Sequence, residues 1–180
     1  MLREKDLTTQ ELVRLGWGLK TVCRDAGVTF LVNHDCEAAS ELAADGVHLG
    51  YRSVSVEHAR AILHARAILG EAVLVGCSTH DNDELRAAIR AGADYVTYGP
   101  IHDTPSKSGL LTARGMAALQ TAVACDDDMP VVALGGLTPD DVGAVREAGA
   151  TGVAAIRALV APHDPEAAAR EFAARWGMPS

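Results

Sequence analysis

Several features common in membrane, secreted and nucleic-acid-binding proteins are missing from this sequence of 180 residues. No apolar run reaches the length of a membrane span, and the residues from Met1 to Lys5 lack the apolar core of a signal peptide. Acidic residues outnumber basic ones, and the net charge of −8 argues against binding to nucleic acid or to a membrane surface. The four cysteines are far apart and form no Cys-x-x-Cys pair, as expected of reduced thiols in a cytoplasmic protein.

What the sequence contains is a regular alternation of short β-branched runs with amphipathic segments rich in Ala, Leu, Arg and Glu. Strands are predicted at residues 28–32, 46–49, 72–75, 95–98, 131–134 and 152–155. Helices are predicted at residues 8–25, 35–44, 55–69, 81–91, 112–124, 138–148 and 164–175. The strand segments are apolar on both faces, which is typical of a parallel sheet covered by other layers. We therefore expect one α/β domain over residues 1–180, either a (β/α)₈ barrel or an open doubly wound sheet.

The sequence contains two repeats, of which the first fits the regular pattern and the second breaks it. The tripeptide Ala-Gly-Ala at 91–93 and 148–150 precedes a predicted strand each time, and we interpret it as a helix end followed by a short loop. The hexapeptide His-Ala-Arg-Ala-Ile-Leu occurs in tandem at 58–63 and 64–69. Six extra residues rotate a helix by ~600°, so the apolar stripe is broken and we expect a bulge or loop to absorb the change.

Residues 94–109 are the most informative segment for function. An apolar strand stops at Gly99-Pro100, and a polar loop follows that contains Thr104, Ser106, Lys107 and a glycine. Hydroxyls and backbone amides donate hydrogen bonds, an ammonium group supplies charge, and glycine allows a close approach of the backbone. The segment therefore predicts a phosphate-binding loop.

A set of motifs follows one another in order, each at a predicted strand end. They lie at 2–5, 31–33, 44–50, 76–80, 92–95, 99–107, 133–136 and 149–152. Together they resemble the family of thiamine-phosphate synthases and their relatives, the TenI-type thiazole tautomerases. The resemblance implies a (β/α)₈ TIM barrel in thiamine biosynthesis, of which this chain lacks the first β-strand and helix.

The resemblance also implies a set of site residues. Positions that hold the pyrophosphate or the pyrimidine correspond to Arg3, Lys5, Asn33, Ser78 and Lys107. Positions that hold the thiazole phosphate correspond to Thr104, Ser106, Gly135 and Gly136, and Arg157 replaces a phosphate-binding hydroxyl. A glycine pair that opens a helix late in such a barrel is also where a phosphate site is physically expected.

The sequence departs from the family where magnesium would bind. The two carboxylates that the family uses are replaced by His34 and Ser53, which suit a hard dication poorly, and Asp35 could compensate only if its loop shifts. We therefore expect no metal site. Mg²⁺ would be required only if the chain were a synthase. His34, His80 and His102 are expected to ring a polar pocket mouth, with His48 packed and hydrogen-bonded inside the fold and with His58 and His64 in solvent.

The carboxylate count favours the metal-free tautomerase, whose reaction relocates a proton on the thiazole and needs an acid or base. The family's catalytic histidine corresponds to Pro100, so His102, two residues on, is the candidate, together with Lys107. One alternative is a synthase joining hydroxymethylpyrimidine pyrophosphate to a thiazole phosphate. Another is a catalytically inactive phosphate binder or remnant. The expected partners are these small phosphorylated molecules, with no nucleic acid or membrane; a homo-oligomer is compatible with the sequence.

Overall fold

The computed structural model describes residues 1–68, 73–104 and 112–178, with the side chains of 64–68 excepted. It divides into two compact units, Met1–Ser78 with Ala88–Asp94, and Thr79–Ala87 with Tyr95–Ser180. We refer to them as unit one and unit two. Along the described ranges, no helix combines the length and the apolar character that crossing a membrane requires.

Unit one is built around three parallel strands. These are β1 (Leu31–Asn33), β2 (Gly46–Leu49) and β3 (Leu74–Thr79), with Val32, Val47 and Val75 in register at the centre. The helices are α1 (Thr9–Asp25), α2 (Cys36–Glu41) and α3 (Val56–Ile68), and α4 (Asn82–Arg90) has residues in both units. Leu2 forms a single parallel bridge with Val32, so the first residues extend the sheet beside β1.

Unit two repeats the pattern with three further parallel strands. These are β4 (Tyr95–Tyr98), β5 (Val131–Leu134) and β6 (Gly152–Ala154). The helices are α5 (Gly115–Val123), α6 (Val142–Glu147), α7 (Arg157–Val160) and α8 (Pro165–Trp176), with a 3₁₀ turn at Pro139–Asp141 before α6. Fully buried valines, Val96 and Val131 among them, form the apolar interior of this sheet.

Polar residues in the helix-to-strand loops fix the start of the preceding strand. The Asp45 carboxylate accepts the Phe30 N–H at 2.6 Å, and the Asp94 carboxylate accepts the Val75 N–H at 2.6 Å. Thr151, which follows the second Ala-Gly-Ala, donates its hydroxyl to the Val131 carbonyl at 3.0 Å. These bonds satisfy backbone groups that the sheet leaves open, so the repeated loops serve the architecture.

The sequence predicted the parallel α/β organisation, and the differences are local. The described residues contain six strands, and the eight-stranded barrel and the single domain stay predictions. The first strand begins at Leu31 rather than at residue 28, because Val28 is exposed and the Phe30 N–H is bonded to Asp45. The helix α7 was not predicted, since four residues carry too little periodicity to detect.

The expected break in the duplicated segment is not found where the structure describes the backbone. Helix α3 runs without interruption from Val56 to Ile68, through the first hexapeptide and all but the last residue of the second, so no bulge lies within these residues. Beyond Ile68 the prediction of a bulge or loop stays a prediction. Val56, Ala59 and Leu63 are buried and give the first part of the helix one apolar face. Residues 69–72 lie outside the described residues.

Candidate functional site

The carboxyl edge of unit two brings several of the predicted residues together. Strands β4, β5 and β6 are parallel, so the segments that follow Tyr98, Leu134 and Ala154 leave the sheet at the same edge. These segments contain His102 and Thr104 after β4, Gly135 and Gly136 after β5, and Arg157 after β6. In open and closed α/β sheets this edge is the one at which ligands bind.

The glycine pair is packed directly against the loop that follows β4. The His102 N–H donates to the Gly135 carbonyl at 3.0 Å, and the Ile101 N–H donates to the Leu134 carbonyl at 2.9 Å. Gly136 has a φ of +68°, and a Cβ there would lie 2.8 Å from the Cβ of His102. Only glycine satisfies both the backbone conformation and this close approach.

His102 is hydrogen-bonded to a carboxylate. Its Nε2 lies 2.8 Å from Oδ1 of Asp141, which ends the 3₁₀ turn after the glycine pair. The other oxygen of Asp141 accepts the N–H and the hydroxyl of Thr138 at 2.8 and 2.9 Å. Burial by itself would raise the pKa of Asp141, but the hydrogen bonds from Thr138 and His102 outweigh it and lower that pKa. Asp141 is therefore ionised at neutral pH and holds His102 in one orientation.

Asp141 was not among the residues expected from the sequence. Thr138 is followed three residues later by Asp141, the spacing of a capping box, and the structure forms that box. The sequence therefore contained a signal for the position of Asp141, although it did not show that the second carboxylate oxygen would contact His102.

The predicted phosphate loop is described only at its two ends. The Arg114 N–H donates to the Pro100 carbonyl at 2.8 Å, and the Gly115 N–H donates to the Ile101 carbonyl at 3.0 Å. The loop therefore leaves and returns at one place beside the glycine pair. Thr104 is half-buried in its first part. Ser106 and Lys107 lie outside the described residues, so their roles stay predictions.

Arg157 is the first residue of α7, three residues beyond the end of β6. Its side chain is exposed, which leaves the guanidinium accessible to a phosphate from solvent. Its role in phosphate binding stays a prediction.

The predicted residues of unit one lie at the carboxyl ends of β1 and β3 and after Leu2. Arg3 and Lys5 are exposed and follow Leu2. The Asn33 amide donates to the His48 carbonyl at 3.1 Å, and the Ser78 hydroxyl lies 3.0 Å from Nε2 of His48. His48, in strand β2, is therefore hydrogen-bonded to both Asn33 and Ser78.

His48 itself is almost completely buried, with 3% of its surface exposed. Burial, with a smaller contribution from the N-terminal ammonium, lowers its pKa from 6.5 to about 4. It is therefore neutral at pH 7 and acts as a structural hydrogen-bonding group, as predicted from the sequence.

The residues at the family's magnesium positions do not fit that ion. Nδ1 of His34 lies 2.8 Å from the Ser53 hydroxyl, so the two positions are bonded to each other. Asp35 does not replace the missing carboxylates, because its oxygens accept the Ala38 N–H at 2.8 Å and the Thr9 hydroxyl at 2.7 Å. An imidazole and a hydroxyl are poor ligands for an ion that prefers several anionic oxygens.

Unit two contains a cavity of about 430 Å³ whose lining includes neither His102 nor Asp141. It is lined by Asp81, Asn82, Asp83, Tyr98, Ala118 and Thr121. Its lining contains two carboxylates and no cationic side chain, so it does not suit a phosphate.

Comparison with known proteins places these features in a family. The sequence model of the family described as "Thiamine monophosphate synthase" matches residues 1–159. A thiamine-phosphate synthase of Bacillus velezensis is 38% identical over 173 residues, which cover 94% of this chain and 74% of the relative. A thiamine-phosphate synthase of Geobacillus thermodenitrificans is 42% identical over 167 residues, which cover 93% of this chain and 72% of the relative.

A solved structure is also similar over nearly the whole chain. The thiamine phosphate pyrophosphorylase from Pyrococcus furiosus aligns with a TM-score of 0.86 and 27% sequence identity. The alignment covers 97% of this chain and 80% of that protein. The similarity in sequence and the similarity in structure therefore point to the same family.

Proposed function

The chain belongs to the thiamine monophosphate synthase family, and from that premise we propose that it binds a thiazole phosphate and relocates a proton on the thiazole without a metal ion. The observation that supports this most directly is the bond of 2.8 Å between His102 and Asp141, next to the glycine pair. It supplies an oriented acid–base group beside the expected phosphate position, which is what a proton relocation needs.

The hydrogen bond to Asp141 determines which nitrogen of His102 does the chemistry. Since the carboxylate only accepts, the Nε2 atom of His102 carries the hydrogen, and Nδ1 of the neutral ring is the base. Nδ1 has no hydrogen-bond partner in the parts of the chain that the structure describes. It would take a proton from one position of the thiazole and return it at another, while Asp141 stabilises the imidazolium formed in between.

Phosphate binding at the same edge would hold the thiazole in place. Gly135 and Gly136 allow the backbone to approach the ligand, and Thr104 and Arg157 add a hydroxyl and a guanidinium. We expect Ser106 and Lys107 to complete this cradle. Binding energy from the phosphate would then fix the reacting ring against His102.

A second candidate is the synthase reaction, which the names of the relatives favour. It would join a pyrimidine pyrophosphate to the thiazole phosphate and release pyrophosphate. Arg3, Lys5, Asn33 and Ser78 are the residues that would hold the pyrimidine substrate. These residues would have to act without magnesium held by His34 and Ser53, because that pair does not fit the ion.

Calorimetry with the carboxythiazole phosphate and the pyrimidine pyrophosphate, each with and without Mg²⁺, distinguishes these functions. Metal-independent binding of the thiazole phosphate, followed by deuterium uptake into the thiazole in D₂O, supports the proposal. Tight binding of the pyrimidine pyrophosphate only with Mg²⁺, followed by turnover, supports the synthase instead. Binding of the thiazole phosphate with no reaction of either kind identifies an inactive phosphate binder.

A further inference from the structure

We propose that His34, positioned by Ser53, donates a hydrogen bond from Nε2 to an anionic phosphate oxygen at the carboxyl edge of β1 and β2, and does so without a divalent cation. This rests on the proposed function only for the class of ligand, a small phosphate ester or pyrophosphate. It assigns roles to His34 and Ser53 in unit one, at the strand ends where the family resemblance already places Arg3 and Asn33 as residues that hold the pyrophosphate or the pyrimidine.

The orientation of the His34 ring follows from the hydrogen bonds of Ser53. The Ser53 oxygen accepts the Gly50 N–H at 2.8 Å and lies 2.8 Å from Nδ1 of His34. Among the described residues the hydroxyl hydrogen has no other acceptor, so it is donated to Nδ1. The neutral ring then carries its own hydrogen on Nε2, which makes Nε2 a fixed donor.

The backbone at His34 is held in a conformation that non-glycine residues rarely adopt. Its φ is +72°, in the left-handed region. The His34 N–H donates to the His48 carbonyl at 2.9 Å, and that carbonyl also accepts the Asn33 amide at 3.1 Å. Strain of this kind persists only where surrounding bonds maintain it. Such residues are concentrated at binding and catalytic sites.

The segments next to His34 in the fold carry two exposed arginines and one exposed carboxylate, Glu4, which follows Arg3. The exposed Arg52 lies in the same loop as Ser53, and the exposed Arg3 follows Leu2, which pairs with β1 at this edge. The adjacent carboxylate, Asp35, is directed to α2, where it accepts the first-turn N–H of Ala38. Nε2 of His34 has no hydrogen-bond partner in the described part of the chain, and the ring is exposed, so a ligand can reach it.

Nuclear magnetic resonance of the full chain labelled with ¹⁵N-histidine tests the proposal, with inorganic pyrophosphate and inorganic phosphate as probes. For His34 we expect the nitrogen shifts of a neutral ring with its hydrogen on Nε2. Adding pyrophosphate in the presence of a chelator should move the Nε2 signal of His34, and adding Mg²⁺ should not tighten binding. Binding that needs Mg²⁺, or binding that leaves the His34 signals unchanged, would overturn the proposal.

Single variants test the donor, His34, separately from Ser53, the residue that orients it. His34→Asn tolerates a positive φ but is too short to reach the ligand, and it should weaken pyrophosphate binding about tenfold. Ser53→Ala should weaken binding about threefold and give a mixture of the two ring tautomers of His34. His58→Gln, at an exposed position on α3 in the same unit, is the matched control and should bind as the parent does.

The double variant His34→Asp with Ser53→Glu provides the converse measurement. It places two carboxylates where the parent has a hydrogen-bonded neutral pair, so pyrophosphate binding should become dependent on Mg²⁺. If the variant binds pyrophosphate equally with and without Mg²⁺, these two positions do not determine metal dependence, and the proposal is wrong. Failure of pyrophosphate to bind the parent also overturns it, whereas failure of the proposed function appears separately, as loss of thiazole phosphate binding or of deuterium uptake.

Discussion

Replacing Asp141 with Asn removes one charge while leaving His102 and the glycine pair in place. The amide can present either its oxygen or its NH₂ group to His102. Because its oxygen is best used by the Thr138 N–H, we expect the NH₂ group to face Nε2 of His102. That arrangement favours hydrogen on Nδ1, which is the wrong nitrogen for a base. We therefore expect kcat for proton relocation to fall by ~10²- to 10⁴-fold, the usual contribution of an acid–base group.

The same substitution has a smaller effect on stability and on substrate affinity. The two charge-assisted bonds from Thr138 become neutral ones, which should lower the free energy of unfolding by about 1–2 kcal/mol. The phosphate cradle does not include Asp141, so binding of the thiazole phosphate should change by less than about threefold, well under 1 kcal/mol. Deuterium uptake into the thiazole in D₂O gives kcat, calorimetry gives the affinity, and urea denaturation gives the stability.

Two comparisons make this experiment decisive. Asp140→Asn is the matched control, because Asp140 is in the same 3₁₀ turn but is exposed and, among the described residues, is paired with Arg175 and not with His102. It should react as the parent does. His102→Asn should lose as much activity as Asp141→Asn, and the double variant should lose little more, since the two residues act as one unit. An Asp141→Asn variant with unchanged kcat and intact binding would refute the assignment of His102 as the oriented base.

Three further predictions concern other parts of the chain. Gly136→Ala should lower the free energy of unfolding by about 1–3 kcal/mol and reduce kcat, because its Cβ would lie 2.8 Å from the Cβ of His102; thermal denaturation and deuterium uptake measure both effects. The pKa of His48 is lowered to about 4 in the folded chain, so the stability that it contributes is complete above pH 6.5 and is lost as the pH falls toward 4, by up to about 3 kcal/mol. When urea denaturation is measured at pH 7 and at pH 5, the free energy of unfolding should therefore fall less for His48→Gln than for the parent. Lys107→Ala should weaken phosphate binding by about 2 kcal/mol in calorimetry, and an unchanged affinity would count against its place in the cradle.

The parts of the fold that follow from local chemistry were predictable from the sequence. Strands β2, β4 and β5 begin and end where the apolar runs do, because burial on both faces requires an uninterrupted run. The bounds of β1 were wrong, because they depend on the hydrogen bond from the Phe30 N–H to Asp45, a residue 15 positions along the chain. Such a long-range bond leaves no periodic signal in either segment.

The same distinction explains which site residues could be found. Gly136 and His102 were identified through the resemblance to the family, and a glycine pair that opens a helix is in addition a physical signal for phosphate binding. The partners of the histidines were missed. Asp141 is 39 residues from His102, and Ser53 is 19 residues from His34, and only the sheet brings each pair within bonding distance.

The pairing of His34 with Ser53 also bears on whether the chain is an inactive remnant. By resemblance, the two positions belong to the magnesium carboxylates of the family, and here both have changed to residues that bond to each other at 2.8 Å. If the site had changed without selection, we would expect its two positions to carry side chains that do not bond to each other. Nothing would then favour a replacement that matches its neighbour. A matched pair, held at a strained backbone position beside exposed cations, is instead the arrangement that continued ligand binding would maintain. Under the proposal, the loss of the magnesium ligands is a change in how the anion is held, and it is not by itself a sign of lost function.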